Sequence, residues 1–460
     1  MASGATGEAA IGLVRLSGPG AVRIAEQLIP GRGGVWRSRR TAKPRWRSRR
    51  LYHERVVDPA SGAVVDDVLL SVMRAPRSFT GQDVVELSGH AGLAVRELLR
   101  LAVAAGARPA ERGEFTLRAY LAGKLDLAQA EAVADAVSAR TPAALSLAVG
   151  QLGGTLSQRI GTLRGRLIAL YARLEASIDF EEDEAPEVER DEAQRELQEV
   201  GGALEALLAT ARWGQLAREG IRVALVGRPN AGKSSLLNAL LQADRAIVSS
   251  VPGTTRDVIE ERIDLLGVPA LLADTAGIGD SHDPVERLGV ERSRRAIAAA
   301  DLVTVVIDAN APLGSDDRAV AALVTGPAVV VLNKADLPAT VDAAEARQLL
   351  GGRAPVVSVS AVTGLGLDAL RETLARAGGW LRQGLDGETQ AAVTSARHRA
   401  ALVRAHAAVG EGAESLAGGL ALDAVCTDVR SALEALGEIT GESVTEDVLS
   451  EIFSRFCIGK

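Results

Sequence analysis

Cysteine, histidine and aromatic residues are scarce in this 460-residue chain, which has two Cys, five His and 3% aromatic residues. The cysteines, Cys426 and Cys457, lie far apart in sequence, which argues against a disulfide framework, and with so few histidines also against a zinc site. No apolar run approaches the roughly 20 residues of a transmembrane helix, and residues 1–20 lack a signal-peptide pattern. We therefore expect a cytoplasmic protein without a membrane partner.

Excess positive charge is also lacking, since the formal net charge is −7 at pH 7. Such a chain is not a general polyanion binder, so any nucleic-acid contact must come from a local basic patch. Apolar residues make up 47% of the chain, and its length predicts about three domains with sizeable cores. Abundant Ala, Leu and Arg favour helices that pack through aliphatic side chains.

One strongly marked motif is present at residues 227–234, which read Gly-Arg-Pro-Asn-Ala-Gly-Lys-Ser. This is a phosphate-binding loop of the form G-x-x-x-x-G-K-S. The apolar run before it, 221–226, predicts a buried strand, and 235–241 predicts a helix. A strand, a glycine loop and a helix N-terminus together direct several backbone N–H groups at one anion. We expect Lys233 to reach the β- and γ-phosphates and the Ser234 hydroxyl to bind Mg²⁺.

The segment Asn333-Lys334-Ala335-Asp336 follows a predicted strand at 328–332. The Asp336 carboxylate can accept two hydrogen bonds from the N1–H and 2-amino groups of guanine, a donor pair that adenine lacks. The motif therefore predicts GTP rather than ATP as the ligand. Ser360-Ala361, after another apolar run, would add a backbone N–H to the guanine oxygen.

Two further segments lie between these motifs. Asp274-Thr275-Ala276-Gly277 ends the apolar run 270–273, where the carboxylate suits a water-mediated Mg²⁺ contact and the Gly277 N–H can sense the γ-phosphate. Residues 253–257 read Gly-Thr-Thr-Arg-Asp and predict a switch segment whose Thr hydroxyl completes the Mg²⁺ shell.

The predicted hydrolytic machinery differs from that of Ras, in which a Gln directly after D-x-x-G orients the attacking water. Here that position is Ile278, which cannot do so. Asn230 in the phosphate loop offers a carbonyl oxygen that could hold a monovalent cation and so supply positive charge. The alternative is that Asn230 only shapes the loop, and the residues alone leave both open.

The overall pattern predicts a multidomain α/β plus all-α protein. Residues 1–115 indicate a small α/β domain and 116–216 a long-helical segment, interrupted by an acidic stretch at 179–191 that favours a solvated loop. Residues 217–378 alternate strands and helices, as in a parallel sheet, and 379–460 are helical again. We infer one discontinuous helical domain into which a P-loop, Ras-like GTPase domain is inserted.

Beyond the nucleotide motifs, five segments are distinctive: residues 78–87, 113–116, 123–132, 437–442 and the terminal Phe456-Cys457-Ile458-Gly459-Lys460. Together with the nucleotide motifs, they resemble the MnmE/TrmE-type tRNA modification GTPases, a potassium-activated class. The resemblance spans nearly the whole chain. One departure is that only six residues precede Gly7, where the family usually has another strand, so the first strand is expected to be shortened or the start misassigned.

The resemblance implies a function. The N-terminal domain would bind a tetrahydrofolate one-carbon derivative and form a homodimer. With an FAD-dependent MnmG/GidA-type partner, expected in a heterotetramer, the protein would add a carboxymethylaminomethyl or aminomethyl group to C5 of the wobble uridine of certain tRNAs. GTP hydrolysis would drive a conformational change, and paired GTPase domains would depend on K⁺.

The resemblance also implies site residues. K⁺ would be bound by Asn230, Ser249, Val251 and Thr254, and Mg²⁺ by Ser234 and Thr255. Folate contacts would come from Arg15, Glu86, Lys124 and Lys460. The implied GTP contacts are Asn230, Ala231, Gly232, Lys233, Ser234, Ser235, Ser249, Ser250, Val251, Pro252, Gly253, Thr254, Thr255, Asp274, Thr275, Ala276, Gly277, Asn333, Lys334, Asp336, Ser360 and Ala361.

Catalytic roles would fall on Asn230, Glu286, Arg256 and Cys457. Glu286 would position the attacking water, although on its own it resembles an exposed helix-start Glu. Arg256 with Asp257 would support switch movement. Cys457 would be a catalytic thiol, or else a packed terminal cysteine.

Three alternatives remain open at this stage. A GTP switch for ribosome assembly would bind RNA without chemistry, and a folate-dependent methyltransferase would use its GTPase domain for regulation. The basic stretch 37–50 would either contact the tRNA backbone, with Trp36 or Trp46 stacking on a base, or form a solvated loop.

Overall fold

The computed structural model describes residues 10–30, 45–179, 190–245, 260–274, 294, 296–380, 392–456 and 459. The chain forms two compact units. The first contains residues 1–137, 151–161 and 433–460, and the second contains residues 138–150 and 162–432. No helix of the described residues is long and apolar enough to cross a membrane.

The first unit is built on an antiparallel four-stranded sheet in the order β1-β4-β3-β2. The strands are β1 (Ile11–Ser17), β2 (Leu51–Val57), β3 (Val64–Met73) and β4 (Val84–His90). In β3, alternate residues from Asp66 to Val72 are buried, as expected of a sheet covered on one face. The helices α1 (Ala21–Leu28) and α2 (Leu93–Ala104) contribute Leu28 and Leu98 to the same core.

A smaller helical cluster completes the first unit. It contains α3 (Glu114–Leu121), most of α4 (Leu127–Ser138) and α14 (Glu446–Ser454), around a core of Leu127, Ala130, Phe453 and Phe456. α3 and α4 belong to the first third of the chain, whereas α14 lies close to residue 460. The Tyr120 hydroxyl donates to the Gly441 carbonyl at 2.8 Å, and so fixes α3 to the segment before α14.

The second unit contains a six-stranded sheet in the order β10-β9-β8-β5-β7-β6. The strands are β5 (Ile221–Val226), β6 (Glu260–Leu265), β7 (Val268–Asp274), β8 (Leu302–Asp308), β9 (Ala328–Asn333) and β10 (Val356–Ser358). Each described strand pair is parallel except β6 with β7, which is antiparallel. The expectation of a parallel sheet is therefore wrong at this edge, where a short hairpin adds a strand.

The remaining helices form two groups. Those of the sheet region are α8 (Lys233–Arg245), α9 (Ser315–Ala322), α10 (Ala343–Gln348) and α11 (Leu367–Gly378). The others are α5 (Pro142–Leu152), α6 (Thr155–Asp179), α7 (Arg190–Glu219), α12 (Ala396–Ala417) and α13 (Leu422–Thr440). α7 packs along α12, and residues of α7 such as Trp213 and Ala217 share a core with β5.

Candidate functional site

The phosphate loop connects β5 to α8, as the sequence predicts. Two glycines of this loop leave no room for a side chain. A Cβ on Gly227 would lie 2.2 Å from the Val306 carbonyl oxygen of β8, and one on Gly232 would lie 2.2 Å from Asn333 Nδ2. Gly232 also has φ +91°, which L side chains rarely adopt. The loop can therefore lie directly against the ends of β8 and β9 only with glycine at both positions.

Lys233 occupies the first position of α8 and its side chain is buried. Its ammonium donates to the carbonyl of Gly227 at 3.0 Å and to that of Arg228 at 2.9 Å. The cation is thus held over the concave side of the loop, where phosphates bind in this motif. Ser234 and Ser235 follow in the first turn and are exposed.

Asn230 lies at the tip of the same loop. It has φ +62°, in the left-handed region that Asn tolerates better than most residues, and it is exposed. The structure is therefore consistent with both interpretations of Asn230. Its backbone conformation shapes the loop, and its exposed side chain is accessible to a cation.

Asn333, at the end of β9, connects the two nucleotide motifs. Its Nδ2 donates to the Ala231 carbonyl of the phosphate loop at 3.0 Å, and its Oδ1 accepts from the Ala361 N–H at 3.3 Å. The side chain is 1% exposed. The structure thereby brings together the phosphate loop, the Asn-Lys-Ala-Asp segment and the Ser360-Ala361 segment.

Lys334 has φ +66°, and its ammonium donates to Asp308 Oδ2 at 2.6 Å. Arg228 lies 3.9 Å from the same carboxylate and 3.6 Å from that of Asp317. Burial raises the pKa of Asp308, but the hydrogen bonds from Lys334 and the Asn310 N–H and the charge of Arg228 outweigh it and leave the pKa below its usual value. Asp308 is therefore an ionised anchor for both loops.

Asp336 is exposed, and no hydrogen bond or ion pair joins its carboxylate to another residue in the described part of the chain. Ser360 is fully buried, and its hydroxyl accepts from the Thr363 N–H at 3.1 Å. Asp336 is thus oriented to solvent beside the loop that Asn333 positions, as a base-recognising carboxylate requires.

Several predicted site residues lie outside the described residues, so the structure says nothing of them: Ser249, Ser250, Val251, Pro252, Gly253, Thr254, Thr255, Arg256, Thr275, Ala276, Gly277, Glu286, Cys457 and Lys460. Asp274 ends β7, where the sequence predicts it, and only its backbone is described.

In the first unit, Arg15 of β1 and Glu86 of β4 are register partners across the sheet. The guanidinium and the carboxylate approach to 2.7 Å, and Arg15 also lies 5.7 Å from the centre of the Phe115 ring. Two of the four predicted folate residues are therefore adjacent. Lys124 is exposed, with its backbone N–H bonded to Ala119.

Arg15 also lines a cavity of 390 Å³ together with Gly18, Phe115 and Gly459, which is near the chain terminus. Lys124 does not line it. The presence of Gly459 at its wall brings the terminal segment that the resemblance marks close to Arg15.

Charged groups at one wall of this cavity form a network around Glu114. Arg108 donates to both of its oxygens, at 2.5 and 2.8 Å, and Arg118 donates at 2.6 Å. The Arg108 hydrogen bonds are the main cause that lowers the pKa of Glu114 to about 2, against a smaller opposing effect of burial. The Glu111 N–H also donates to this carboxylate.

Comparison with known proteins assigns the chain. Residues 127–457 match the family model of the MnmE helical domain, and residues 1–124 match that of the GTP-binding protein TrmE N-terminus. The chain is 48% identical to the tRNA modification GTPase MnmE of Roseiflexus sp. over 99% of this chain and 97% of that protein. It belongs to the MnmE family. The Symbiobacterium thermophilum member is 48% identical over 100% of this chain and 98% of its own, and the Heliobacterium modesticaldum member is 45% identical over 99% and 97%.

Among solved structures, the G domain of the T. maritima FeoB iron transporter covers 34% of this chain with 29% identity and a TM-score of 0.26. An overlap this low adds nothing to the assignment. Membership of the MnmE family confirms the predictions of a TrmE-type N-terminal domain, a helical domain and a GTPase enzyme of tRNA modification.

Sequence reasoning about this MnmE-family chain missed the charged residues that support its sites. Asp308 ends an apolar strand, which is the position of Asp274 and Asn333 too, so a strand-end rule would have found it. Arg118 lies four residues after Glu114 on α3, a helical spacing that predicts an ion pair, whereas Arg108 carried no such signal because it lies in the loop before that helix.

The stacking role of Trp46 does not fit the structure. Trp46 is 1% exposed, its indole N–H donates to Glu54 at 2.8 Å, and the Arg45 guanidinium lies 4.5 Å from its ring centre. Arg45 also donates to the carbonyls of Ile29 and Pro30. A buried indole cannot stack on a base, so in this MnmE-family chain Trp46 belongs to the core, whereas residues 47–50 after it are exposed. Trp36 lies outside the described residues.

Proposed function

We propose that this chain is a potassium-activated GTPase that takes part in modification of the wobble uridine of certain tRNAs. The observation that carries the nucleotide half is the Asn333 side chain, which joins the phosphate loop to the guanine-recognition segment. The tRNA half rests on the relatives that the chain matches over nearly its full length, which are tRNA modification GTPases.

The proposed GTP site assigns separate tasks to this chain's own residues. Lys233 would exchange its loop carbonyls for β- and γ-phosphate oxygens, and Asp336 would select guanine through its N1–H and 2-amino groups. Asp308 would hold Lys334 in place beside the base. Glu286 would orient the attacking water, and Arg256 would support the switch segment.

The proposed metals fit the donors that the structure describes. Ser234 presents an exposed hydroxyl at the start of α8, a hard oxygen ligand of the kind that Mg²⁺ prefers. Asn230 presents an exposed amide at the loop tip, suited to K⁺. Thr255 would complete the Mg²⁺ ligands, and Ser249, Val251 and Thr254 the K⁺ ligands. Bound there, K⁺ would supply positive charge beside the phosphates as an arginine finger does elsewhere.

For the carbon transfer, we propose that the Arg15–Glu86 pair contributes to a site for a tetrahydrofolate one-carbon derivative. A carboxylate can accept the N–H donors of a pterin edge, and cations such as Lys124 and Lys460 suit its glutamate tail. With an FAD-dependent MnmG/GidA-type partner, the homodimer would attach a carboxymethylaminomethyl or aminomethyl group at C5. Cys457 would be the thiol of this step. The proposed arrangement is an N-terminal folate domain at 1–115, helical segments at 116–216 and 379–460, and a GTPase domain at 217–378.

The test of the nucleotide half is the GTPase rate in K⁺ compared with Na⁺, for wild type and Asn230→Ala. We expect faster turnover in K⁺ for wild type and loss of that difference in Asn230→Ala. Asn238→Ala, an exposed Asn on α8, is the matched control and should keep the K⁺ response. A wild-type rate that is the same in both salts would refute potassium activation.

The test of the tRNA half is nucleoside analysis of tRNA from a deletion strain. Loss of the C5 modification and its rescue by the intact gene are expected. Intact tRNA with defective ribosomes would instead favour a ribosome-assembly switch, and loss of a simple methyl group a methyltransferase. Rescue by Cys457→Ser at full strength would remove that thiol from the mechanism.

A further inference from the structure

A second cavity, in the second unit, is lined by an unusual number of arginines. Its volume is 600 Å³, and Arg140, Arg218, Arg222 and Arg262 line it against only two carboxylates, Glu219 and Asp301. Arg140 precedes α5, Arg218 lies in the last turn of α7, and the other two are on strands. Four arginines from separate chain segments therefore converge on one cavity.

The strand register explains how two of these arginines come to lie side by side. Arg222 of β5 and Arg262 of the edge strand β6 both pair with Leu271 of β7. Paired residues share a face of the sheet, so both arginines project on the same side, with Leu271 between them. Two strand spacings separate their backbones by roughly 10 Å. The sheet therefore fixes the backbone positions of both arginines, unlike those of a flexible basic tail.

The two acidic residues in the cavity already have hydrogen-bond partners. Asp301 Oδ2 accepts from the backbone N–H of Arg222 at 2.9 Å, and Glu219 Oε2 accepts from Gln215 at 3.0 Å. In the described part of the chain, no ion pair joins Arg140, Arg222 or Arg262 to a carboxylate. All three are exposed.

Two other arginine pairs of the described structure differ in this respect. Arg108 and Arg118 share Glu114, and Arg166 and Arg173 share Glu196. An arginine with an internal carboxylate is already compensated, whereas the row Arg222–Arg262 presents uncompensated cations. The cavity is thus suited to an external anion.

The cavity is separate from the nucleotide site. Arg222 is near the start of β5, whereas the phosphate loop begins at Gly227, after the end of that strand. Five residues at about 3.3 Å each place them roughly 16 Å apart. The phosphates of a GTP bound at the loop cannot therefore neutralise these arginines.

We propose that this cavity binds the phosphate backbone of the tRNA substrate. This rests on the proposed function, which requires a polynucleotide ligand in a chain of net charge −7. Such a chain must contact RNA through a local cationic site. Guanidinium groups suit it, because each can donate two parallel hydrogen bonds to one phosphate. Within the basic stretch, Arg45 is committed to Glu54 and to backbone carbonyls, whereas Arg47, Arg49 and Arg50 are exposed and form a second cationic surface.

The test compares tRNA binding by the wild-type chain and by the double variant Arg222→Ala/Arg262→Ala. The control is Arg347→Ala/Arg353→Ala, two exposed arginines beside β10 at the opposite edge of the same sheet. We expect at least about tenfold weaker binding for the double variant, the effect of losing a charge-assisted contact. The slope of log affinity against log salt concentration should also be smaller in magnitude by about 1 to 2 for the double variant. The control should match wild type.

GTP turnover and thermal unfolding of both variants should stay close to wild type, since neither pair lies at the nucleotide loops. Unchanged tRNA affinity and salt dependence in the double variant would overturn the proposal. If the cavity instead bound an acidic protein, the double variant would likewise bind tRNA with unchanged affinity. If wild-type protein itself bound no tRNA, the proposed function would fail first. The two failures are therefore distinguishable.

Discussion

Asn333 connects three segments of the nucleotide site through a single side-chain amide, and this makes a sharp prediction. Asn333→Ala leaves the Ala231 carbonyl and the Ala361 N–H without that partner in a buried place. An unsatisfied buried polar group costs about 1–3 kcal/mol. We therefore expect a lower unfolding temperature and weaker GTP binding, measured by thermal denaturation and by titration with a fluorescent GTP analogue.

Asn238→Ala, an exposed position on α8, is the control for this experiment and should leave both quantities close to wild type. If Asn333→Ala bound GTP as tightly as the control does, the amide would not be what aligns the two loops.

Glu114 predicts a pH dependence of stability. Its pKa is about 2 in the folded protein against an ordinary value of 4.5, mainly because Arg108 donates to its carboxylate. Because the folded pKa is the lower one, this stabilisation is complete above about pH 4.5 and is lost as the pH falls towards 2. We expect the difference in unfolding temperature between wild type and Glu114→Gln to be large at pH 6 and to shrink steadily below pH 4.5.

The comparison for Glu114 is Glu97→Gln on α2, whose carboxylate pairs with Arg100 at the surface. Exposed pairs contribute little, so this variant should follow wild type at every pH. If the difference in unfolding temperature between wild type and Glu114→Gln did not vary with pH, the network would act through packing and not through charge.

At the scale of elements, two of the three glycines of α7 lie in very different surroundings. A Cβ on Gly214 would lie 2.3 Å from the Val393 carbonyl oxygen, whereas one on Gly202 would meet nothing within 4 Å. Gly202→Ala should stabilise the chain by about 1 kcal/mol through helix propensity. Gly214→Ala should destabilise it, because overpacking costs about 1–3 kcal/mol. Thermal unfolding of the two variants measures both changes in stability. Equal shifts of the unfolding temperature would contradict the close packing at Gly214.

The elements that sequence reasoning located are those with buried apolar runs. The bounds of β5 were predicted to the residue, and those of β9 to within one residue. Two strands that it did not name, β2 and β6, are edge strands, and in β2 only Val56 is buried. The central strand β8 was also not named, although its residues from Leu302 to Ile307 are all buried. An edge strand has neighbours on one side only and little apolar content, so periodicity cannot reveal it.

At the scale of the whole molecule, contacts distant in sequence were not predictable from local pattern. Arg15 and Glu86 are 71 residues apart and Tyr120 and Gly441 are 321 apart, and only the resemblance indicated that such segments belong together. The arginine cavity gave no sequence signal at all, because its members are spread from Arg140 to Arg262. The nucleotide motifs were readable because each lies within one short loop after a strand.

The Lys233 ammonium already shares its protons with two carbonyls of its own loop. In the proposed GTP site, arrival of a triphosphate is therefore an exchange of acceptors and not a simple addition. Only a ligand rich in negative oxygens can outcompete those carbonyls, so a neutral mimic of the same shape would leave the lysine where it is. The resting loop thus discriminates against uncharged molecules before any base is recognised.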